Sequence, residues 1–291
     1  MNSITFVVPA LLIVPALVAH AVRPSPAMQF TSGVNVVEVY AAVVDDDGRP
    51  VTGLPREAFT VLEDGHPQDI STFTEGEFPL SAAIAVDRSF SMKGSELATA
   101  KAAAQAFLSA LRPEDQATVI AIGSEVETVA PLSADRRAQQ QAIDALQPWG
   151  TTELHDAVIA SIDAIQAARG RRALVLLSDG ADRYSTASTS DALERARHSD
   201  VMVYPFALGS TRTPLFAELA VLTGGRSFFP RNAQQATDGV RAVADELRHQ
   251  YLLAYTPANP PSRGEQQWRS IAVRVDRPNV TVRARDGYFV K

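Results

Sequence analysis

The sequence predicts an α/β fold: a doubly wound, mostly parallel sheet inserted in a β-sandwich built from strands at the two ends of the chain. Three observations predict it. Between residues 80 and 248, short apolar runs alternate with segments of helical period, the pattern of parallel strands covered on both faces. On either side lie segments of two-residue alternation, each too small to bury a core alone. Those flanks also carry opposite charge: acids such as Glu38, Asp45, Glu63 and Asp69 before residue 80, and Arg269, Arg274, Arg283 and Arg285 after residue 248. Opposite-sign strands that pair gain register specificity, so the flanks are read as one sandwich; the alternative is two separate flaps packed on the α/β domain.

Taken in order, Phe6 to Val18 is apolar and uncharged, and Ala19-His20-Ala21 places small residues where a signal peptidase reads. Residues 1–21 are therefore expected to be a signal peptide. The alternative is an uncleaved anchor, since Ile4 to Val22 is just long enough to span a bilayer. Both place the rest of the protein outside the cytoplasm, in the periplasm, at the cell surface or secreted, and membrane association follows only if the segment is retained. Residues 22–33 read as a linker.

In the first β segment, residues 34–79, Val37, Val39, Ala41 and Val43 alternate with Glu38, Tyr40 and Ala42, and Asp47-Gly48 turns the chain. Phe59 to Leu62 is a second strand, and Asp64-Gly65 turns the chain so that Ile70 to Phe73 pairs back. The run Asp45-Asp46-Asp47 reads as a solvated turn rather than a calcium loop.

Within 80–248 the strand candidates are Ala82 to Val86, Ala117 to Ile122, Ala173 to Leu177, Val201 to Ala207 and a short Ser227 to Phe229. Leu97, Lys101, Ala104, Leu108 and Leu111 lie on one helical stripe that Pro113 ends. Leu154, Val158, Ile162 and Ile165 mark a second helix, and Val240, Val243 and Leu247 the last. The second β segment, 249–291, holds Tyr251 to Tyr255, alternating runs at Ile271 to Val275 and Val280 to Ala284, and Tyr288 to Val290.

Composition narrows function. A net charge of −6 lacks the basic footprint of a nucleic-acid binder. The absence of cysteine excludes disulfides, thiolate metal sites and a cysteine nucleophile.

The informative stretch is Ala85 to Gly94, AVDRSFSMKG. A buried strand ends there in a carboxylate, and Ser89 and Ser91 follow. A carboxylate at the edge of a core is costly unless something pairs with it. Asp179 ends another apolar strand in the same way, and Thr151 and Thr152 precede the Leu154 helix. Ligands of open α/β sheets bind beyond the carboxyl ends of the strands. Three loops there bring together two acids and several hydroxyls, with imidazole entering only through His155. That oxygen-rich set suits Mg²⁺ or Mn²⁺.

These residues carry a resemblance. Asp87, Ser89 and Ser91 in DRSFS resemble the D-x-S-x-S signature of von Willebrand factor type A domains. Thr152 in TTELHDA, Asp179 in LLSDG and the LTGGRSFF turn resemble further family motifs in order, and the match covers roughly residues 80 to 248. More loosely, the flanks resemble the exported bacterial VWFA-related branch. The resemblance implies a Rossmann-like domain with a metal-ion-dependent adhesion site. Asp87, Ser89, Ser91, Thr152 and Asp179 would hold the ion directly or through water, and an open coordination position would take an Asp or Glu from a protein or surface partner. Arg88 occupies a variable position, facing a partner acid or solvent, and His155 and Asp156 are expected to be structural.

The leading expectation is thus an exported, non-enzymatic binding protein. One alternative is a structural subunit of an envelope assembly in which the metal site is vestigial. Another is a hydrolase using Ser89 or Ser91 with His155 and Asp156; it is opposed by the lack of a G-x-S-x-G elbow and by adjacent helical residues that point in different directions.

Overall fold

The strand Leu80–Asp87 is buried along its whole length, and its alternating side chains divide the protein into two layers. This is a computed structural model and describes residues 36–76, 78–259 and 267–290. The first β segment holds β1 (Val37–Asp45), β2 (Phe59–Glu63), β3 (His66–Gln68) and β4 (Ile70–Glu75). Then follow β5 (Leu80–Asp87), α1 (Ser95–Ala110), β6 (Gln116–Ile122), β7 (Val126–Ser133), α2 (Arg136–Ala145) and α3 (Leu154–Gln166). After them come β8 (Arg171–Ser178), α4 (Thr189–Arg197), β9 (Val201–Ala207), α5 (Pro214–Thr223) and α6 (Ala233–Arg248). The chain closes with β10 (Tyr251–Tyr255), β11 (Trp268–Val275), β12 (Val280–Arg283) and β13 (Gly287–Phe289).

The central sheet has the order β7-β6-β5-β8-β9 and is parallel except for β7 at its edge. Leu80, Ala82, Ile84 and Val86 face a core shared with α1, α2 and α6; Ala83 and Ala85 face one shared with α3, α4 and α5. The two-residue period of the strand thus supplies both faces. The chain runs from β5 outward to β6, then returns to the other side of β5 as β8. The winding therefore reverses between β5 and β8, which makes the carboxyl ends of those two strands the switch point where open α/β sheets bind ligands.

The two β segments interleave. One sheet has the order β12-β1-β10-β4 and the other β13-β11-β2-β3, so each joins strands from both ends of the chain. Val39 of β1 lies opposite Leu253 of β10, and Val61 of β2 opposite Val273 of β11. The sheets share one core, where Phe59 of one packs its ring 4.7 Å from Tyr251 of the other. Glu63 is buried between them with its carboxylate 2.6 Å from the Arg269 guanidinium, and it accepts the Tyr255 and Tyr288 hydroxyls at 2.8 and 2.9 Å. Burial, reinforced by that carboxylate, pushes the Tyr288 phenol up to about 12 and drives Tyr255 up as well.

The structure departs from the sequence reading in four places. Ile70–Glu75 does not pair back on β2; the three residues of β3 do, and β4 crosses to the other sheet beside β10. The opposite charges of the flanks pair less broadly than their signs suggest. Glu63 meets Arg269, but Arg49 and Arg56 pair within their own segment with Asp47 and Asp69, and Arg283 reaches Glu246 of α6. Ser227–Phe229 forms no strand; Phe228 joins β9 through one parallel bridge to Phe206. The antiparallel edge strand β7 was not anticipated, since only Ala130 of it is buried and it contains Pro131, which an edge tolerates.

Gly224 ends α5 in the left-handed conformation, φ 77°. A Cβ there would lie 2.4 Å from the Ala284 carbonyl carbon, so only glycine lets the α5 turn press against the end of β12. Among the described residues no helix is long and apolar enough to cross a membrane. The signal or anchor expectation concerns residues 1–22, which lie outside the described residues.

Candidate metal-ion site

β5 delivers Asp87 to the switch point with no exposure to solvent. One carboxylate oxygen accepts the Ser178 hydroxyl at 2.6 Å, and the other accepts the Ser89 amide at 2.9 Å. Burial pushes the Asp87 carboxyl above the usual carboxylate range. The hydrogen bonds from Ser178 and Ser89 pull it back, and the charge of Asp179 pushes it up again. Among the described residues no lysine, arginine or histidine is bonded to it. Ser89 is buried, and its hydroxyl stands 3.0 Å from that of the exposed Ser91. The single turn between them is closed by the Met92 amide on the Ser89 carbonyl.

Asp179 follows β8 directly. Its carboxylate accepts the Ala181 amide at 2.9 Å, and Ser178 accepts the Gly180 amide at 3.0 Å. The Ser178 oxygen thus links the two acids, donating to one and accepting from the turn that carries the other. Gly180 has φ 82°, and a Cβ there would press to 3.0 Å on Thr213, so this turn also requires glycine.

The third loop runs from Trp149 to Glu153. The Phe90 amide donates to the Gly150 carbonyl at 3.0 Å, and the Trp149 amide to the Arg88 carbonyl at 2.7 Å. Thr152 is buried, and its carbonyl accepts the amides of Arg183 and Tyr184 in the loop after Asp179. Thr152 does not cap α3. The first amides of that helix are bound by Asp182, at 2.8 Å from Leu154, and by Ser185, at 2.9 Å from His155. A cap supplied from a distant loop leaves the threonine hydroxyl outside that role.

The structure therefore joins Asp87, Ser89 and Ser91 directly, brings Asp179 in through Ser178, and ties in the Thr152 loop through its main chain. Ser178 was overlooked in the sequence, although it stands beside Asp179 at the polar end of an apolar strand. Arg88 is not free for a partner acid: its guanidinium pairs with Glu127 at 2.9 Å and lies 5.1 Å from the Trp149 ring centre. His155 and Asp156 brace the 186–189 segment. The imidazole meets the Ala187 carbonyl and the Thr189 hydroxyl, and the carboxylate accepts the amides of Thr186 and Ala187. Both ring nitrogens being engaged there, His155 is not placed as the base of a serine nucleophile.

The donors fit a hard divalent cation. All are oxygens, two are carboxylates, and the buried one has only hydroxyl and amide partners. Among the described residues no three His, Asp or Glu side chains gather around one point, so an ion here would depend on hydroxyl ligands.

Residues 82–181, which span all five of these positions, match the family model of the von Willebrand factor type A domain. The chain carries a von Willebrand factor type A (VWA) domain. No curated protein matches the chain in sequence. Among solved structures, a von Willebrand factor type A protein from Catenulispora acidiphila is 14% identical, with a TM-score of 0.54 over 85% of this chain and 72% of that one. An aerotolerance-related membrane protein from Bacteroides fragilis is 17% identical, with a TM-score of 0.48 over 57% and 99% of the two chains. BatB from Bacteroides thetaiotaomicron is 16% identical, with a TM-score of 0.49 over 58% and 98%. At these identities the likeness concerns the fold. Beyond the matched residues, α4 and α5 complete one helical layer, α6 completes the other, and β9 completes the central sheet.

Proposed function

We propose that the VWA domain is an ion-dependent binding module, exported from the cytoplasm and without enzymatic activity. In this reading Asp87, Ser89, Ser91, Thr152 and Asp179 hold Mg²⁺ or Mn²⁺ directly or through water. The bound ion supplies an open coordination position for an Asp or Glu of a protein or surface partner. The observation that carries the reading is the buried Asp87 carboxylate, whose bonded partners among the described residues are a serine hydroxyl and an amide. Three of the five side chains are neutral hydroxyls, so a divalent ion is not over-neutralised before a partner acid arrives. Ser178 keeps Asp87 in place, and the Asx turn at Asp179 aims the second acid. Export is supported by the apolar segment Phe6 to Val18.

Titration calorimetry with Mg²⁺ tests the reading. Wild type is expected to take up one ion, and Asp87→Ala and Asp179→Ala to lose that uptake while keeping the fold. Equal uptake by wild type and Asp179→Ala would overturn that residue's role. A structural subunit with a vestigial site is the second reading, favoured by the fact that both Asp87 oxygens already accept hydrogen bonds. It requires that a chelator change neither stability nor partner association.

A further inference from the structure

Among the described residues four aromatic side chains are strongly exposed, and three of them stand on the three loops of the candidate ion site. Phe90, 63% exposed, lies between Ser89 and Ser91; Trp149, 41% exposed, precedes the Thr152 loop; Tyr184, 65% exposed, follows Asp179. Their main chains are bonded into one frame. The Phe90 amide binds the Gly150 carbonyl, the Trp149 amide binds the Arg88 carbonyl, and the Tyr184 amide binds the Thr152 carbonyl. Trp149 is further fixed from below. A Cβ on Gly123 would come within 2.6 Å of its ring, and Arg88, itself held by Glu127, stacks on it.

Exposed aromatics that do not serve a monomer's own core mark interaction sites when they cluster. Rings on a hydrogen-bonded frame lose little freedom on binding, and rigid aromatic anchors carry much of the energy of protein interfaces. The rest of this rim is mixed in charge: Glu153 and the exposed Asp182 stand near the exposed Lys93 and Arg183. A bound cation would fix where a partner carboxylate must sit among the rings.

We propose that Phe90, Trp149 and Tyr184 form an apolar collar around the ion site, and that its occupant is a protein segment in which an Asp or Glu is flanked closely by apolar side chains. This inference rests on the function proposed above. The ion would select the acid, and the collar would select its neighbours and supply most of the affinity.

The test pans a displayed library of random peptides with a fixed central aspartate on the full chain, in Mg²⁺ and in EDTA. The expected result is recovery of peptides rich in aromatic and aliphatic residues beside the aspartate, only in Mg²⁺, with binding lost when that aspartate is replaced by asparagine. The Phe90→Ser/Tyr184→Ser variant should bind the recovered peptides about tenfold or more weakly, as for lost interface anchors, while its Mg²⁺ uptake stays unchanged. The flanking bias of the wild-type selection needs no variant to fold. Ion- and aspartate-dependent peptides with polar flanks would overturn the collar and leave the proposed function standing. Apolar peptides indifferent to Mg²⁺ and to the aspartate would overturn the proposed function, and this inference with it. Recovery of no peptide would overturn the collar.

Discussion

Glu63 of the sandwich and Asp87 of the VWA domain are both buried carboxylates, and the chain satisfies them differently. Glu63 faces the Arg269 guanidinium and two tyrosine hydroxyls. Asp87 faces one serine hydroxyl and one amide. Of the other two buried acids, Glu246 pairs with Arg283, whereas the Asp115 carboxylate accepts the amides of Leu80 and Arg112, with Arg136 and Arg171 near enough to feel its charge. At Glu63 and Glu246 this protein supplies a bonded countercharge from its own chain, and at Asp115 it sets two arginines nearby. At Asp87 it supplies only neutral donors. In the proposed function an ion from solution would supply the missing charge, at the switch point of the sheet.

The largest effect should come from breaking the closed network. Arg269→Ala leaves Glu63 buried without its cation and is expected to cost about 3–5 kcal/mol in urea unfolding. Arg269→Met combined with Glu63→Gln should recover most of that loss, because it removes both charges together. A small loss for Arg269→Ala would mean that Glu63 is not a true buried charge and would weaken the contrast with Asp87.

A smaller effect is expected at the open site. Ser178→Ala removes the hydroxyl that donates to Asp87 and should cost about 1–3 kcal/mol in EDTA, the usual penalty for an unsatisfied buried acceptor. Mg²⁺ should offset part of that cost, and Asp87→Asn in the same background should reduce it. If Ser178→Ala is neutral in EDTA, Asp87 is less deeply committed to its serine than the 2.6 Å contact implies.

Much of this was legible in the sequence because it is local. The alternation at Val37 to Val43, the uninterrupted run ending at Asp87 and the Asp-Gly turns are one-strand or one-turn properties. Asp64, for example, takes the left-handed conformation, φ 48°, that its Asp-Gly pair suggests. Asp87 and Asp179 were legible for a similar reason: each stands where an apolar strand stops. The unread parts depend on distant partners. α2 buries only Gln139 and Ile143, so it shows no broad apolar stripe. The cap of α3 comes from Asp182 and Ser185, some thirty residues away, which no local spacing indicates. Which arginine meets which acid was hidden too, since sign complementarity between two segments does not specify the pairs, and Arg283 found its partner in α6.

The central claim is that Asp87 is a buried charge lacking a cation, and thermal unfolding across pH in EDTA and in Mg²⁺ tests it most directly. Its carboxyl lies higher in the folded than in the unfolded state. The folded state therefore holds this proton more tightly, and the stability it contributes is present at acid pH. That stability is lost as pH rises from the ordinary carboxylate range through the raised Asp87 value. In EDTA, wild type should lose stability over this window relative to Asp87→Asn. Near neutral pH, Mg²⁺ should raise the wild-type midpoint with increasing concentration and leave Asp87→Asn unmoved. Parallel pH profiles for the two proteins, with no response of either to Mg²⁺, would contradict the account.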